Sequence, residues 1–147
     1  MNVFQATSLH IDQVVELFDA YRVWYRKPSD KVAAKAFLLE RIYAKESVIF
    51  VCENDEKQLI GFTQLYPVFS STRMKRMWLL NDLFVDADHR GKGISKALIE
   101  KAKDLARSNN AVGISLETEK SNDIGNRLYP SMGFELEENN FYFWTNV

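Results

Sequence analysis

Cysteine is nearly absent from this chain. Its one copy, Cys52, excludes an internal disulfide and a cysteine-rich metal site. Cys52 sits in the apolar run Val48-Ile49-Phe50-Val51-Cys52 and reads as a small buried hydrophobe rather than a nucleophile. Histidine is scarce as well. His10 and His89 read as surface residues, and no spacing of His, Asp and Glu suggests a metal site, so no metal is expected. No apolar run approaches the roughly 20 residues that span a bilayer, and no membrane partner is expected. Met1-Asn2-Val3-Phe4 lacks a charged segment followed by a long apolar one, so no targeting signal is read and the expected location is cytoplasmic. Excess charge is missing too. The 19 Lys and Arg nearly balance the 20 Asp and Glu, for a formal net charge of -1, which argues against nucleic acid or an anionic membrane as a partner.

What is present is an ordinary globular composition, 46% hydrophobic and 27% charged over 147 residues, which predicts one domain spanning residues 1–147. Val3 to Ala6 reads as a short strand. Thr7 and Ser8 offer an N-cap, and Ile11, Val14, Val15, Phe18, Tyr21 and Tyr25 recur at helical spacing. Lys27-Pro28-Ser29-Asp30 ends that helix, and Ser29 or Asp30 caps a second, about Lys31 to Ala44, with Val32, Ala36, Leu39 and Tyr43 on one side. Strands are expected at Val48–Cys52, at Leu59–Phe69, where Pro67 limits pairing, and in the run Trp78 to Val85. The connection between the last two carries Arg73, Lys75 and Arg76, read as a solvated hairpin tip. A helix from about Ile94 to Ser108, a strand Val112–Thr118, a short helix opened by Ser121-Asn122-Asp123 that reaches Ser131 or Met132 before Gly133, and final strands Phe134–Leu136 and Phe141–Trp144 complete a mixed α/β order.

The stretch Asp86-Ala87-Asp88-His89-Arg90-Gly91-Lys92-Gly93-Ile94-Ser95-Lys96 joins a strand to a helix. Two glycines there let a ligand approach the backbone, and the N–H groups of a first helical turn point at it. Arg90 and Lys92 add positive charge, which suits a pyrophosphate. A Walker loop is excluded because Gly-Lys-Ser/Thr at its spacing is missing, and the dinucleotide fingerprint lacks its third glycine, replaced by Lys96. Taken alone, the loop also reads as a tight turn with solvated basic residues.

A second segment adds weight: Asn122-Asp123-Ile124-Gly125-Asn126-Arg127-Leu128-Tyr129-Pro130-Ser131-Met132-Gly133-Phe134. With the loop Arg90-Gly91-Lys92-Gly93-Ile94-Ser95 and the strand Asn81-Asp82-Leu83-Phe84-Val85, it resembles the GNAT superfamily of N-acetyltransferases over nearly the whole chain. The resemblance implies an α/β fold with a mixed, mostly antiparallel sheet, splayed central strands and flanking helices. It implies acetyl-CoA as the acetyl donor. The backbone of Leu83, Phe84 and Val85 would hold the pantetheine arm and thioester, and Arg90 with the N–H groups of Gly91, Lys92, Gly93, Ile94, Ser95 and Lys96 the pyrophosphate. Asn122 would meet the pantetheine or its neighbouring strand. Ser95 departs from the family pattern, where Gly or Ala usually stands.

The resemblance also assigns roles. Tyr129 matches the family tyrosine that protonates the departing thiolate and would touch the cofactor there, although Pro130 biases it away from helical dihedrals. Asn81 stands where many members carry a basic glutamate. Asparagine takes no proton at neutral pH, so it would orient a water. Asp82, by strand alternation, is expected on the opposite face as a structural hydrogen-bond partner. Glu117 is a further candidate base. The implied reaction is direct attack by a primary amine in a ternary complex. The stretch Thr63-Gln64-Leu65-Tyr66-Pro67-Val68-Phe69-Ser70-Ser71, followed by Trp78 to Val85, resembles the branch that includes histone and polyamine acetyltransferases, which favours a polyamine, a lysine side chain or a small amino compound. The family often dimerises through its C-terminal strands, and the aromatic run Phe141-Tyr142-Phe143-Trp144 suits such a homodimer contact or equally a place in the core. Another reading is a protein of this fold that binds CoA and senses or regulates without turnover. A nucleic-acid module built on Arg73, Lys75 and Arg76 is disfavoured by the even charge.

Overall fold

The computed structural model describes residues 1–147. Its elements run β1 (Asn2–Gln5), α1 (Ile11–Trp24), α2 (Lys31–Tyr43), β2 (Val48–Glu53), β3 (Leu59–Ser70), β4 (Lys75–Val85), α3 (Ile94–Ser108), β5 (Ile114–Ser115) and α4 (Asp123–Ser131), with 3-10 turns at Ser8–His10 and Ala87–His89. They fall into two compact units, Met1–Glu117 and Thr118–Val147. No helix is long and apolar enough to cross a membrane.

The first unit is built on one five-stranded sheet in the order β1-β2-β3-β4-β5. The first four strands pair antiparallel. β5 joins β4 in parallel, the geometry that a helical crossover such as α3 permits. This α/β architecture, a mixed, mostly antiparallel sheet with flanking helices, is the expected one. Pro67 interrupts nothing: β3 still pairs β4 there, opposite Trp78, while its β2 partner ends at Val48↔Leu65. Proline thus falls on a stretch of β3 with one open side, where a missing N–H is tolerated.

Alternation along the strands divides the core in two. Ile49, Val51 and Phe62 share one cluster with Val14, Leu17 and Phe18 of α1 and Ala34 and Leu38 of α2. α3 covers the other face through the fully buried Leu98, Ile99 and Ala102. A Cβ on Gly61 would stand 3.1 Å from Ile94 Cγ2 and 3.2 Å from the Phe84 carbonyl oxygen, so glycine is what lets α3 settle this close. Each large apolar side chain buried this way contributes about 1.5–3 kcal/mol. Cys52 is buried on this unit's sheet, as its apolar run suggested.

Three local expectations change. Thr7 caps the 3-10 turn ahead of α1, with the Thr7 N–H donating to His10 Nδ1 at 2.9 Å, so the α-helix itself starts at Ile11. α2 turns inward through Ala34 and Leu38, whereas Val32 and Tyr43 are 85% and 70% exposed. Both faces of that helix carry apolar residues, and packing against α1 selects one. The strand expected over Val112–Thr118 pairs β4 only at Ile114 and Ser115, because the chain then leaves the ladder.

The connection between α1 and α2 is fastened by a buried carboxylate. Asp19 accepts from Ser29 Oγ at 2.6 Å and from the Asp30 N–H at 2.8 Å, and the Asp30 side chain caps α2 through the Ala33 N–H. The Ser29 hydrogen bond holds the Asp19 pKa below its ordinary value against the opposing effect of burial.

In the second unit Asn122 caps α4, accepting from the Gly125 N–H at 3.1 Å and donating to Thr118 Oγ1 at 2.9 Å. The helix passes through Pro130 and ends in tight i to i+3 bonds, Met132 N–H to Tyr129 O and Gly133 N–H to Pro130 O. Gly133 then turns the chain at φ 89, a left-handed value. The strands expected at Phe134–Leu136 and Phe141–Trp144 are not formed. Aromatic runs favour strands, but a strand exists through its partner, and residues 134–147 pair with none.

Candidate active site

The start of α3 lacks the residues that usually close a helix N-terminus. Its N-cap, Gly93, has no side chain to accept a bond, no acidic residue lies in the first turn, and the first helical bond is Ala97 N–H to Gly93 O. The N–H groups of Ile94, Ser95 and Lys96 therefore point out of the helix without a carbonyl partner. Arg90, Lys92 and Lys96 make this stretch basic. Gly91 and Gly93 take φ of 78 and 79, conformations that L side chains rarely adopt. The loop before them is shaped by Asp86, which accepts from the Asp88 N–H and lies 2.8 Å from His89 Nδ1. An anion fits this cradle, since donors and charge are present and no side chain of the chain occupies them.

Arg90 is more occupied than the motif suggested. Its Nε donates to the Val85 carbonyl at 3.0 Å. Its guanidinium lies 4.7 Å from the Trp24 ring centroid and 5.5 Å from that of Phe84. This ties the loop to the C-terminal end of α1, a link that no sequence spacing shows.

The second component is the outer edge of β4. Beyond Trp78 and Leu79 the strand has no partner on the β5 side. Antiparallel strands direct alternate residues toward one neighbour. The Asp86 N–H bonds Ile60 O, so the same parity turns Phe84 toward β3 and Leu83 and Val85 outward. Along this edge the Val85 carbonyl is taken by Arg90, while the Leu83 backbone and the Val85 N–H can still take an extended amide-bearing chain as an added strand. The backbone of Phe84 faces β3 instead, and its ring lies under Arg90.

The third component is a bulge. Gln64 pairs Asp82 and the next residue, Leu65, pairs Leu80, so Asn81 is the extra residue in β4. The bulge breaks the alternation that placed Asp82 opposite Asn81. The two side chains meet, with Asn81 Nδ2 donating to Asp82 Oδ1 at 3.0 Å. Asn81 is exposed; Asp82 is 3% exposed. Gln64 Nε2 donates to Asp82 Oδ2 at 2.6 Å, and Tyr21 from α1 reaches the same carboxylate and the Asn81 carbonyl, the latter at 3.2 Å. Burial raises the Asp82 pKa, and the three hydrogen bonds only partly oppose it. Tyr66 is pushed up as well, by burial and by the Asp82 charge. Sequence reasoning missed Tyr21, Gln64 and Trp24. Tyr21 was read only as part of an apolar helix face, and nothing in the spacing of Tyr21 or Trp24 pointed to β4 or the loop.

In the second unit Tyr129 is half-buried, with its ring 6.0 Å from Phe134 in an edge-on arrangement. Asn122 serves α4 as described. Glu117, at the end of the first unit, is exposed. No group of three or more His, Cys, Asp or Glu is placed to hold a metal ion.

Comparison with known proteins agrees with this geometry. Residues 11–134 match the acetyltransferase (GNAT) family model. The chain is 42% identical over its full length to an uncharacterized N-acetyltransferase, YhfO, of Bacillus subtilis, covering 98% of that protein. It is 33% identical to a protein of Haemophilus influenzae named "Probable acetyltransferase", over 92% of this chain and 91% of that one. A crystal structure of a probable acetyltransferase superposes with a TM-score of 0.94 at 36% identity, covering 100% of this chain and 98% of the other. The open strand edge, the uncapped helix start and these likenesses agree: the chain belongs to the acetyltransferase (GNAT) family of acyltransferases.

Proposed function

We propose that the chain transfers an acetyl group from acetyl-CoA to a primary amine, either a polyamine, a lysine side chain or a small amino compound, by direct attack in a ternary complex. The observation that carries this reading is the uncapped, basic start of α3 at the end of a strand whose outer edge is unpaired. GNAT acetyltransferases use acetyl-CoA, and the bound thioester supplies the activated acetyl group. The N–H groups from Gly91 to Lys96 bind its pyrophosphate, and Leu83 and Val85 offer backbone partners to the pantetheine arm. Asn122 contacts the pantetheine. Tyr129 donates a proton to the departing thiolate, and Asn81 orients a water beside the incoming amine. Residues 1–147 work as one catalytic domain in the cytoplasm, with no nucleic acid, membrane or metal partner. Exposed Phe141, Tyr142, Phe143 and Trp144 support a homodimer, since an aromatic run of this size is rarely left in water.

The experiment is thiol release from acetyl-CoA with a panel of primary amines, for wild type and Tyr129→Phe. Turnover with at least one amine is expected, along with a lower kcat in the variant. CoA binding without thiol release for any amine replaces transfer by a sensing role. An unchanged kcat across pH in Tyr129→Phe removes the acid role.

A further inference from the structure

The bulge at Asn81 places a buried carboxylate directly behind an exposed strand residue. The groups facing Asp82 are all neutral polar ones. They are Tyr21 from α1, whose ring is edge-on to Tyr25, then Gln64 and Tyr66 from β3, and Asn81 from its own strand. Arg41 of α2 acts on Tyr66 and pairs with Glu40 and Glu46, and Arg90 stands over Trp24 and Phe84. No ammonium or guanidinium pairs with Asp82. A buried carboxylate without a cation is costly, and it favours whatever positive charge arrives beside it. The Tyr21 hydroxyl joins it to the surface, lying between the Asp82 carboxylate and the carbonyl of exposed Asn81.

We infer that Asp82, acting through the Tyr21 hydroxyl, recognises a cationic acceptor amine and takes the proton it must lose. This rests on the amine-acetyltransferase reading above. The ammonium N–H bond breaks as its proton passes to Tyr21 Oη. The Tyr21 proton passes in the same step to an Asp82 oxygen. The products are a neutral amine, whose lone pair is now available to attack, and a neutral carboxylic acid. Asp82 later returns the proton through Tyr21 to water. Asp82 does not touch the amine, so it is a positioning residue and proton store. Burial raises its pKa and makes it a stronger base than an exposed aspartate.

The test compares wild type, Asp82→Asn and Tyr21→Phe with two acceptors, a primary alkylamine and an alkoxyamine that is neutral at neutral pH. Both variants are expected to lower kcat/KM for the alkylamine about 100-fold at neutral pH. Their kcat/KM then rises with pH as free alkylamine appears, whereas the wild-type profile is flat over that range. Neither variant loses rate with the alkoxyamine, and acetyl-CoA affinity stays within about twofold of wild type. Equal losses on both acceptors, or none on either, overturn the assignment. Should Asp82→Asn fail to fold, Tyr21→Phe carries the same comparison. Wild type inactive with every amine overturns the transfer reading and this inference with it. Active wild type with unimpaired variants overturns this inference alone.

Discussion

Asn81 Nδ2 donates to Asp82 Oδ1 at 3.0 Å, although the two are consecutive residues of one strand. In a regular strand they would point to opposite faces. The bulge at Asn81 removes that constraint, and one side chain stays at the surface while the other is buried.

Asp82 should leave a signature in stability. Its folded pKa is raised above the ordinary 3.8 by burial, so its contribution is full below that value and is lost as pH rises through the folded pKa. Asp82→Asn carries no charge to desolvate. Relative to wild type, its Tm should gain between acid and neutral pH, as measured by calorimetry across that range. A difference in Tm that does not change with pH would contradict the buried charge.

Asp19 should behave with the opposite sign. Its pKa is lowered, chiefly by the Ser29 hydroxyl, so its stabilisation is present above the ordinary 3.8 and lost as pH falls through the folded value. Asp19→Ala removes the acceptor of two donors on the exposed residues Ser29 and Asp30, and a loss of about 1–2 kcal/mol is expected at neutral pH. Denaturant unfolding at neutral and acid pH measures it. The loss should shrink in acid, and a full-sized loss there would refute the assignment.

The loop before α3 predicts two graded effects. Gly93→Ala forces a Cβ into a left-handed conformation at φ 79, which costs about 1–2 kcal/mol and should weaken acetyl-CoA binding about tenfold. Ser95→Trp places bulk where the pyrophosphate is proposed to lie and should abolish binding. Titration calorimetry reads both. Wild-type affinity in Ser95→Trp would remove the pyrophosphate from this loop.

Gly125 and Asn122 should be coupled. A Cβ at Gly125 would lie 2.5 Å from Asn122 Nδ2, so Gly125→Ala dislodges the α4 cap. Losing such a cap costs about 1 kcal/mol, and Asn122→Ala should cost as much. In the double variant the second change should add nothing, since no cap is left to displace. A double-mutant cycle with additive losses would contradict this.

The Arg90 to Ser95 loop, α3 and α4 with its stop at Gly133 were legible because each is written in adjacent residues. Glycine permits the left-handed turns, Ser121-Asn122-Asp123 opens a helix, and apolar residues at helical spacing define one face. That Asp82 would be a structural hydrogen-bond partner was legible too, but its meeting with Asn81 across a bulge and its contact with Tyr21 were not. A bulge has no local signature in Leu80-Asn81-Asp82, and Tyr21 is 60 residues from the carbonyl it bonds.

Local chemistry thus determined which stretches would be helical and where glycine would turn the chain before α3. Packing across the chain decided the rest. It chose Ala34 and Leu38 as the inner face of α2, limited β5 to two residues, and left 134–147 without a strand. It also brought Tyr21, Gln64 and Asn81 onto one carboxylate. The physical reason is that propensity and capping act within a few residues. Strand pairing, burial and the fate of a carboxylate depend on partners that only the fold brings within reach.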